Sequence, residues 1–340
     1  MWPEHEDYIL MPKSRRTPWG SYCSTFIILI MAFETSFLVY HLTREKPPVF
    51  PKFYISKNVS NIVVDINKPD TPIPPFFNLK TSFFQSDRFK LKACALEKSM
   101  SSVLFSYFCV LHNTDAYMAL PDEKKSERVE YNTLESCKDA REIIYQHYAT
   151  PEAIEKVKHF RKFVIVRDPF ERFVSGFVDR CDGKYDQGSR AACYGCEKNL
   201  TCVMENLLVR LQGFSSGQLP KTSHDYYTEH FMPFTWQCNL DKEWGTYEII
   251  PFDEKNTTVT SEAVAELLKS SGVPENVLNE YRKNNKGKNM SHTTHGLNHR
   301  EEVKQNLLKD PYLMGIFRKI FYYDYILLGF DQSFMNSTVV

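Results

Sequence analysis

The sequence predicts an α/β fold, a mainly parallel sheet flanked by helices and preceded by an N-terminal transmembrane helix. Short β-branched runs alternate with longer helical patterns, the arrangement that parallel strands require because their crossovers are helices. Hydrophobic residues make up 42% of the 340, ample for a real core. One apolar run near the N-terminus also reaches the ~20 residues that cross a bilayer as a helix.

Residues 1–21 read as a polar cytoplasmic tail and residues 22–42, "YCSTFIILIMAFETSFLVYHL", as the membrane span. Glu34 opposes insertion by roughly 2.5 to 3.5 kcal/mol, which the surrounding apolar residues outweigh. Lys13, Arg15 and Arg16 precede the span and only Arg44 and Lys46 follow it closely. The positive-inside rule therefore predicts a signal anchor of type II topology, with the bulk of the chain in the lumen. Asn-x-Ser/Thr sequons at Asn58, Asn199, Asn256, Asn289 and Asn336 all follow the span. Of nine cysteines, setting aside Cys23 leaves an even number, suited to disulfides in an oxidising compartment. The cluster Cys181, Cys193, Cys196 and Cys202 contains one C-x-x-C, but neither a second such pair nor a spaced His pair completes a zinc pattern, so no metal is expected. Links within Cys181–Cys238 are expected instead.

Residues 43–83 read as a stem, carrying prolines 47, 48, 51, 69, 72, 74 and 75 of the chain's eighteen. Residues 84–340 then form one lumenal domain without internal repeats. Within it "LKACAL" (91–96), "KFVIV" (162–166) and "YEIIPF" (247–252) read as strands, and "VLFSYFCVL" (103–111) as a buried helix. "SEAVAELLKSSG" is amphipathic, with Ser261 placed as N-cap and Gly272 as C-terminal stop.

In such a sheet, ligands bind beyond the carboxyl ends of the strands, where helix N-termini offer unpaired N–H groups to anions. Two loops stand there. "EKSMSS" (97–102) presents Lys98, Ser99, Ser101 and Ser102 before a helix, a set suited to phosphate or sulfate and also common in plain solvated loops. "RDPFERFVSGF" (167–177) puts Arg167 at a strand end, makes its turn with Asp168-Pro169, and carries Ser175 two turns into the next helix. A structural alternative makes Asp168 an N-cap with Arg167 as its salt-bridge partner.

The second loop resembles the 3'-phosphate motif of Golgi carbohydrate sulfotransferases, R-D-P-x-x-R-x-x-S-x-[YF], at every fixed position. "EKSMSS" stands where that family carries its 5'-phosphosulfate loop. "HFMPFTWQC" (230–238), "YEIIPFDE" (247–254) and "IFYYDYILLGF" (320–330) are similar to further family segments, in order. The resemblance implies a P-loop-like fold and transfer of a sulfuryl group from 3'-phosphoadenosine 5'-phosphosulfate (PAPS) to a glycan hydroxyl at the Golgi membrane. It implies that Arg167 and Ser175 bind the 3'-phosphate and that Lys98, Ser99, Ser101 and Ser102 bind the phosphosulfate, with Lys98 also catalytic. His230 occupies a family position and is a candidate general base; His224 and His292 are others.

Glu97 and Met100 depart from the family loop, which usually has Pro and Gly there, so a binding-only member is an alternative. A Golgi glycosyltransferase would share the topology, but no Asp-x-Asp triplet is present. No G-x-x-x-x-G-K-[ST] run marks a P-loop kinase. Forty-two basic residues balance forty-two acidic ones, so no global field calls for nucleic acid.

Overall fold

The computed structural model describes residues 71–126, 141–182, 192–285, 298–331 and 333. The expected span at 22–42, most of the stem, His292 and the sequons at Asn58, Asn289 and Asn336 lie outside the described residues. Among the described residues no helix is long and apolar enough to cross a membrane.

A five-stranded sheet has the order β3-β1-β2-β4-β5, formed by β1 (Phe83–Ser86), β2 (Leu91–Cys94), β3 (Tyr145–Gln146), β4 (Arg161–Val166) and β5 (Tyr247–Pro251). β2, β4 and β5 pair in parallel, while β1 runs antiparallel to both β2 and β3. The three strands expected from sequence are the parallel ones. β1 and β3 escape sequence reading because β1 is a tight hairpin partner next to proline-rich chain and β3 is two residues long. The sheet is thus mixed, with one strand reversed.

Alternation along the strands sorts the core. Phe163 and Ile165 of β4, with Leu91 and Ala93 of β2, pack under α1 (Ser101–His112), α5 (Thr257–Ser270) and α6 (Glu275–Asn285). Val164 and Val166, with Cys94, face Phe234, Leu240 and Leu328 on the opposite side. Period-2 patterning makes both faces apolar, as a covered sheet requires. Lys92 and Lys162 are register partners on this second face, both bonded to the Glu243 carboxylate, at 2.9 and 3.1 Å. A further core joins α2 (Pro169–Arg180), α3 (Leu200–Ser215), α7 (Asn298–Lys309) and α8 (Pro311–Leu328).

Residues from Ile73, which the proline count assigns to the stem, pack on this domain. Ile73 and Leu79 are buried, and their amides donate to the carbonyls of Lys319 and Trp236, both at 3.0 Å. The helix expected at Ser261 starts earlier: Asn256 caps it, and Ser261 lies inside with its hydroxyl on the Thr257 carbonyl. Gly272, at φ 90°, does lie just past its end.

Cys181–Cys193 and Cys196–Cys202 are disulfides within the expected segment. Cys238 pairs outside it, with Cys94 at the end of β2. Cys109 is disulfide-bonded as well. Asn199 and Asn256, the described sequon asparagines, are exposed helix N-caps.

Candidate functional site

The carboxyl ends of β2, β4 and β5 lie side by side because the three strands are parallel, and each leads into a loop carrying charged residues. After β2 the chain turns through Glu97–Met100 into α1. Lys98 and Met100 both adopt left-handed backbone, φ 64° and 61°, a region where glycine is least strained. Met100 is the N-cap of α1 and makes no side-chain cap hydrogen bond, so the helix N-terminus keeps its unsatisfied amides and positive dipole end. Ser99 is 1% exposed, and its hydroxyl finds no hydrogen-bond partner among the described residues. A buried, unsatisfied hydroxyl beside an uncapped helix start fits an anionic ligand. Ser101 and Ser102 open α1 and are half-buried.

Arg167 leaves β4 and reaches across this loop. Its Nη1 donates to the Lys98 carbonyl at 2.9 Å, and its Nε and Nη2 make a two-pronged pair with Glu254 beyond β5. Its guanidinium also lies 4.7 Å from the Phe252 ring centroid. The alternative that pairs Arg167 with Asp168 does not hold, because Asp168 turns inward to accept the Glu171 amide at 3.0 Å as N-cap of α2. Lys98 is ion-paired with Asp179 on α2. Burial pulls its ammonium pKa down to about 8, and Asp179 only partly offsets that. Ser175 lies on α2 between these residues in sequence and is buried.

The remaining sequence motifs form a scaffold behind α2. Tyr325 donates its hydroxyl to Asp168 at 3.2 Å and accepts from the Phe170 amide at 3.3 Å. Asp324 accepts from the amides of Phe234 and Thr235 at 2.7 and 3.1 Å. Arg172, buried on α2, donates to the carbonyls of His230 and Met232. At Gly176 an added Cβ would stand 2.9 Å from the Phe231 ring, so only glycine lets α2 approach α4 (Tyr226–Phe231) this closely. These contacts hold Glu229 and His230 in place.

His230 is 6% exposed, and its Nδ1 lies 2.7 Å from the Tyr226 carbonyl. Burial, then Lys98 and Arg180, push its pKa well below the usual imidazole value. Its neighbour Glu229 is a hub. Lys80 bonds it at 3.0 Å, Tyr148 donates its hydroxyl to it, and Nε2 atoms of His147 and His224 lie 3.5 and 3.3 Å from its oxygens. Burial opposes its charge, but the His147 contact and the Lys80 ammonium hold its pKa below the usual carboxylate value. His224 has its other nitrogen on the Lys221 carbonyl. His147 is 43% exposed at the side chain.

Lys80 also binds Glu97. Burial disfavours its charge, yet the adjacent carboxylates raise its pKa above the ordinary lysine value. The charge that Glu97 adds to this loop is thereby offset in part, Lys80 being shared with Glu229. Glu229, His147, Tyr148 and Lys80 are not marked by any local motif. Only adjacency to His230 pointed toward Glu229.

The sequence matches the sulfotransferase family model over residues 81–331. It is 28% identical over 273 residues to the carbohydrate sulfotransferase chst-1 of Caenorhabditis elegans, covering 78% of this chain and 80% of that one. It is 29% identical over 270 residues to an uncharacterized protein of the same organism, covering 78% and 73%. No solved structure matches it. The matched region takes in the sheet, both loops and the scaffold behind α2, and the chain belongs to the sulfotransferase family.

Proposed function

We propose that the chain transfers a sulfuryl group from PAPS to a hydroxyl of a glycan, as a Golgi enzyme of type II topology. The observation that carries this reading is the hydrogen bond from Arg167 to the Lys98 carbonyl, which joins two loops 69 residues apart into one anion-binding surface. Arg167 and Ser175 would hold the 3'-phosphate, and Lys98, Ser99, Ser101, Ser102 and the α1 amides the phosphosulfate. Name likeness to a carbohydrate sulfotransferase supports the glycan acceptor. The sequons, and Lys13, Arg15 and Arg16 just before the expected span, support the lumenal assignment.

When bound, PAPS supplies an activated sulfuryl group on a phosphate leaving group. His147, with Nε2 turned to Glu229, has its other ring nitrogen available as general base. It takes the acceptor proton as the acceptor oxygen bonds to sulfur. The bond from sulfur to the 5'-phosphate oxygen breaks, and that oxygen keeps the electron pair beside the Lys98 ammonium. Lys98 therefore has to exchange its Asp179 partner for the leaving phosphate.

The test is transfer of labelled sulfate to mixed glycans by the full chain, with donor affinity titrated separately. Arg167→Ala should weaken the donor about ten- to more than a hundredfold, the worth of a charge-assisted hydrogen bond, and Ser175→Ala less. His147→Ala should lower kcat roughly 10²- to 10⁴-fold with donor affinity kept. A wild-type chain that binds nucleotide without transferring would be a binding-only member. One that binds no nucleotide refutes the reading.

A further inference from the structure

We infer that Tyr148 is the platform on which a pyranose ring of the acceptor stacks, presenting its hydroxyl to His147. The inference rests on the sulfotransferase reading above. Tyr148 is 47% exposed yet held firmly. Its backbone is left-handed, φ 57°, a conformation that the β-carbon of a bulky residue disfavours and that marks functional positions when the surroundings enforce it.

The surroundings do enforce it. The Tyr148 amide lies 3.4 Å from the Ser82 hydroxyl, and the next amide, of Ala149, donates to the Thr81 carbonyl at 2.8 Å. The phenol is anchored on Glu229. Its ring lies 4.0 Å from the His147 ring, centroid to centroid, and meets the His224 ring edge-on at 5.2 Å. Nothing in ordinary turn packing calls for an aromatic side chain at a strained position with almost half its surface open. A half-exposed phenol ring beside an exposed imidazole, with the Lys80 ammonium 6.0 Å over the ring, is what the C–H face of a sugar recognises, while its hydroxyl edge meets the polar groups.

A pyranose could come from a neutral glycan or from a polyanionic glycosaminoglycan, and the two arms of the test separate these. Tyr148→Phe and Tyr148→Leu both lose the hydroxyl bond to Glu229, so only the ring distinguishes them. Acceptor KM, donor KM and kcat are measured for each on neutral N-glycans and on chondroitin-type chains, at low and high salt. Tyr148→Leu should raise acceptor KM about five- to tenfold over Tyr148→Phe, with donor KM equal. Strong salt dependence identifies the polyanion as source, and its absence the neutral glycan. Equal acceptor KM in the two variants overturns the inference.

Should either variant fail to fold, saturation-transfer NMR on the wild-type chain decides. Irradiating aromatic protons should attenuate sugar C–H signals, and no attenuation with bound acceptor overturns the platform. A wild-type chain that binds glycan through this face but neither binds nucleotide nor transfers sulfate refutes the enzyme reading and leaves the platform standing.

Discussion

Binding of nucleotide should draw a proton onto Lys98. Burial first, and then the charges of Arg180 and Arg167, lower its pKa to about 8 against the opposing pull of Asp179. A phosphate dianion within hydrogen-bond reach adds an opposite charge, which shifts such groups by roughly one to three units toward the charged form. With a shift of about two units, uptake is about 0.1 proton at pH 7, 0.5 at pH 8 and 0.8 at pH 9. The sign follows from the free state, which loses the proton as pH rises through about 8 while the bound state retains it. The product 3'-phosphoadenosine 5'-phosphate is a suitable probe because its phosphates ionise near pH 6 and are almost fully charged at pH 8 and 9, where the predicted uptake is largest. Calorimetry in buffers of different ionisation enthalpy measures the uptake as the slope of apparent binding enthalpy. Lys98→Arg keeps a cation that does not titrate here, so its slope should vanish. A flat wild-type profile from pH 7 to 9, or uptake that persists in Lys98→Arg, would refute the placement of Lys98 against the phosphate.

Met100→Gly should stabilise the chain by about 1 kcal/mol, because φ 61° is strained for methionine and free for glycine; a lowered thermal midpoint would show that Met100 packing outweighs the strain. Lys80→Met should cost roughly 3 to 5 kcal/mol, since it leaves Glu97 and Glu229 buried without their shared cation. Denaturant unfolding of that variant measures the cost, and a change below about 1 kcal/mol would mean that those carboxylates are relieved by protonation or solvent.

Much of the proposed donor side was legible because it is local. A strand, a turn with Asp-Pro and a helix start occupy consecutive residues, so Arg167, Asp168 and Ser175 can be assigned positions from spacing alone. The same holds for Lys98 and the serines that open α1. Met100 was legible as a departure, and its left-handed backbone gives that departure its physical content. The proposed acceptor side was not legible. His147 and Tyr148 follow a two-residue strand, and Lys80 sits in a stretch that proline content marks as stem.

The sequence by itself determined the alternation of strands and helices, the anion-binding residue types at two strand ends and the cysteine supply for an oxidised domain. These are consequences of periodicity and of chemistry between neighbours in the chain. Tertiary structure alone decided that β1 reverses the sheet and that Cys238 bonds to Cys94. It also decided that Arg167 takes Glu254 as its partner, and that Glu229 gathers Lys80, His147, Tyr148 and His224. Those partners are brought together from as far as 149 residues apart. Burial makes such a pairing necessary, since a carboxylate or ammonium withdrawn from water must find its opposite, but which opposite it finds depends on how the layers pack.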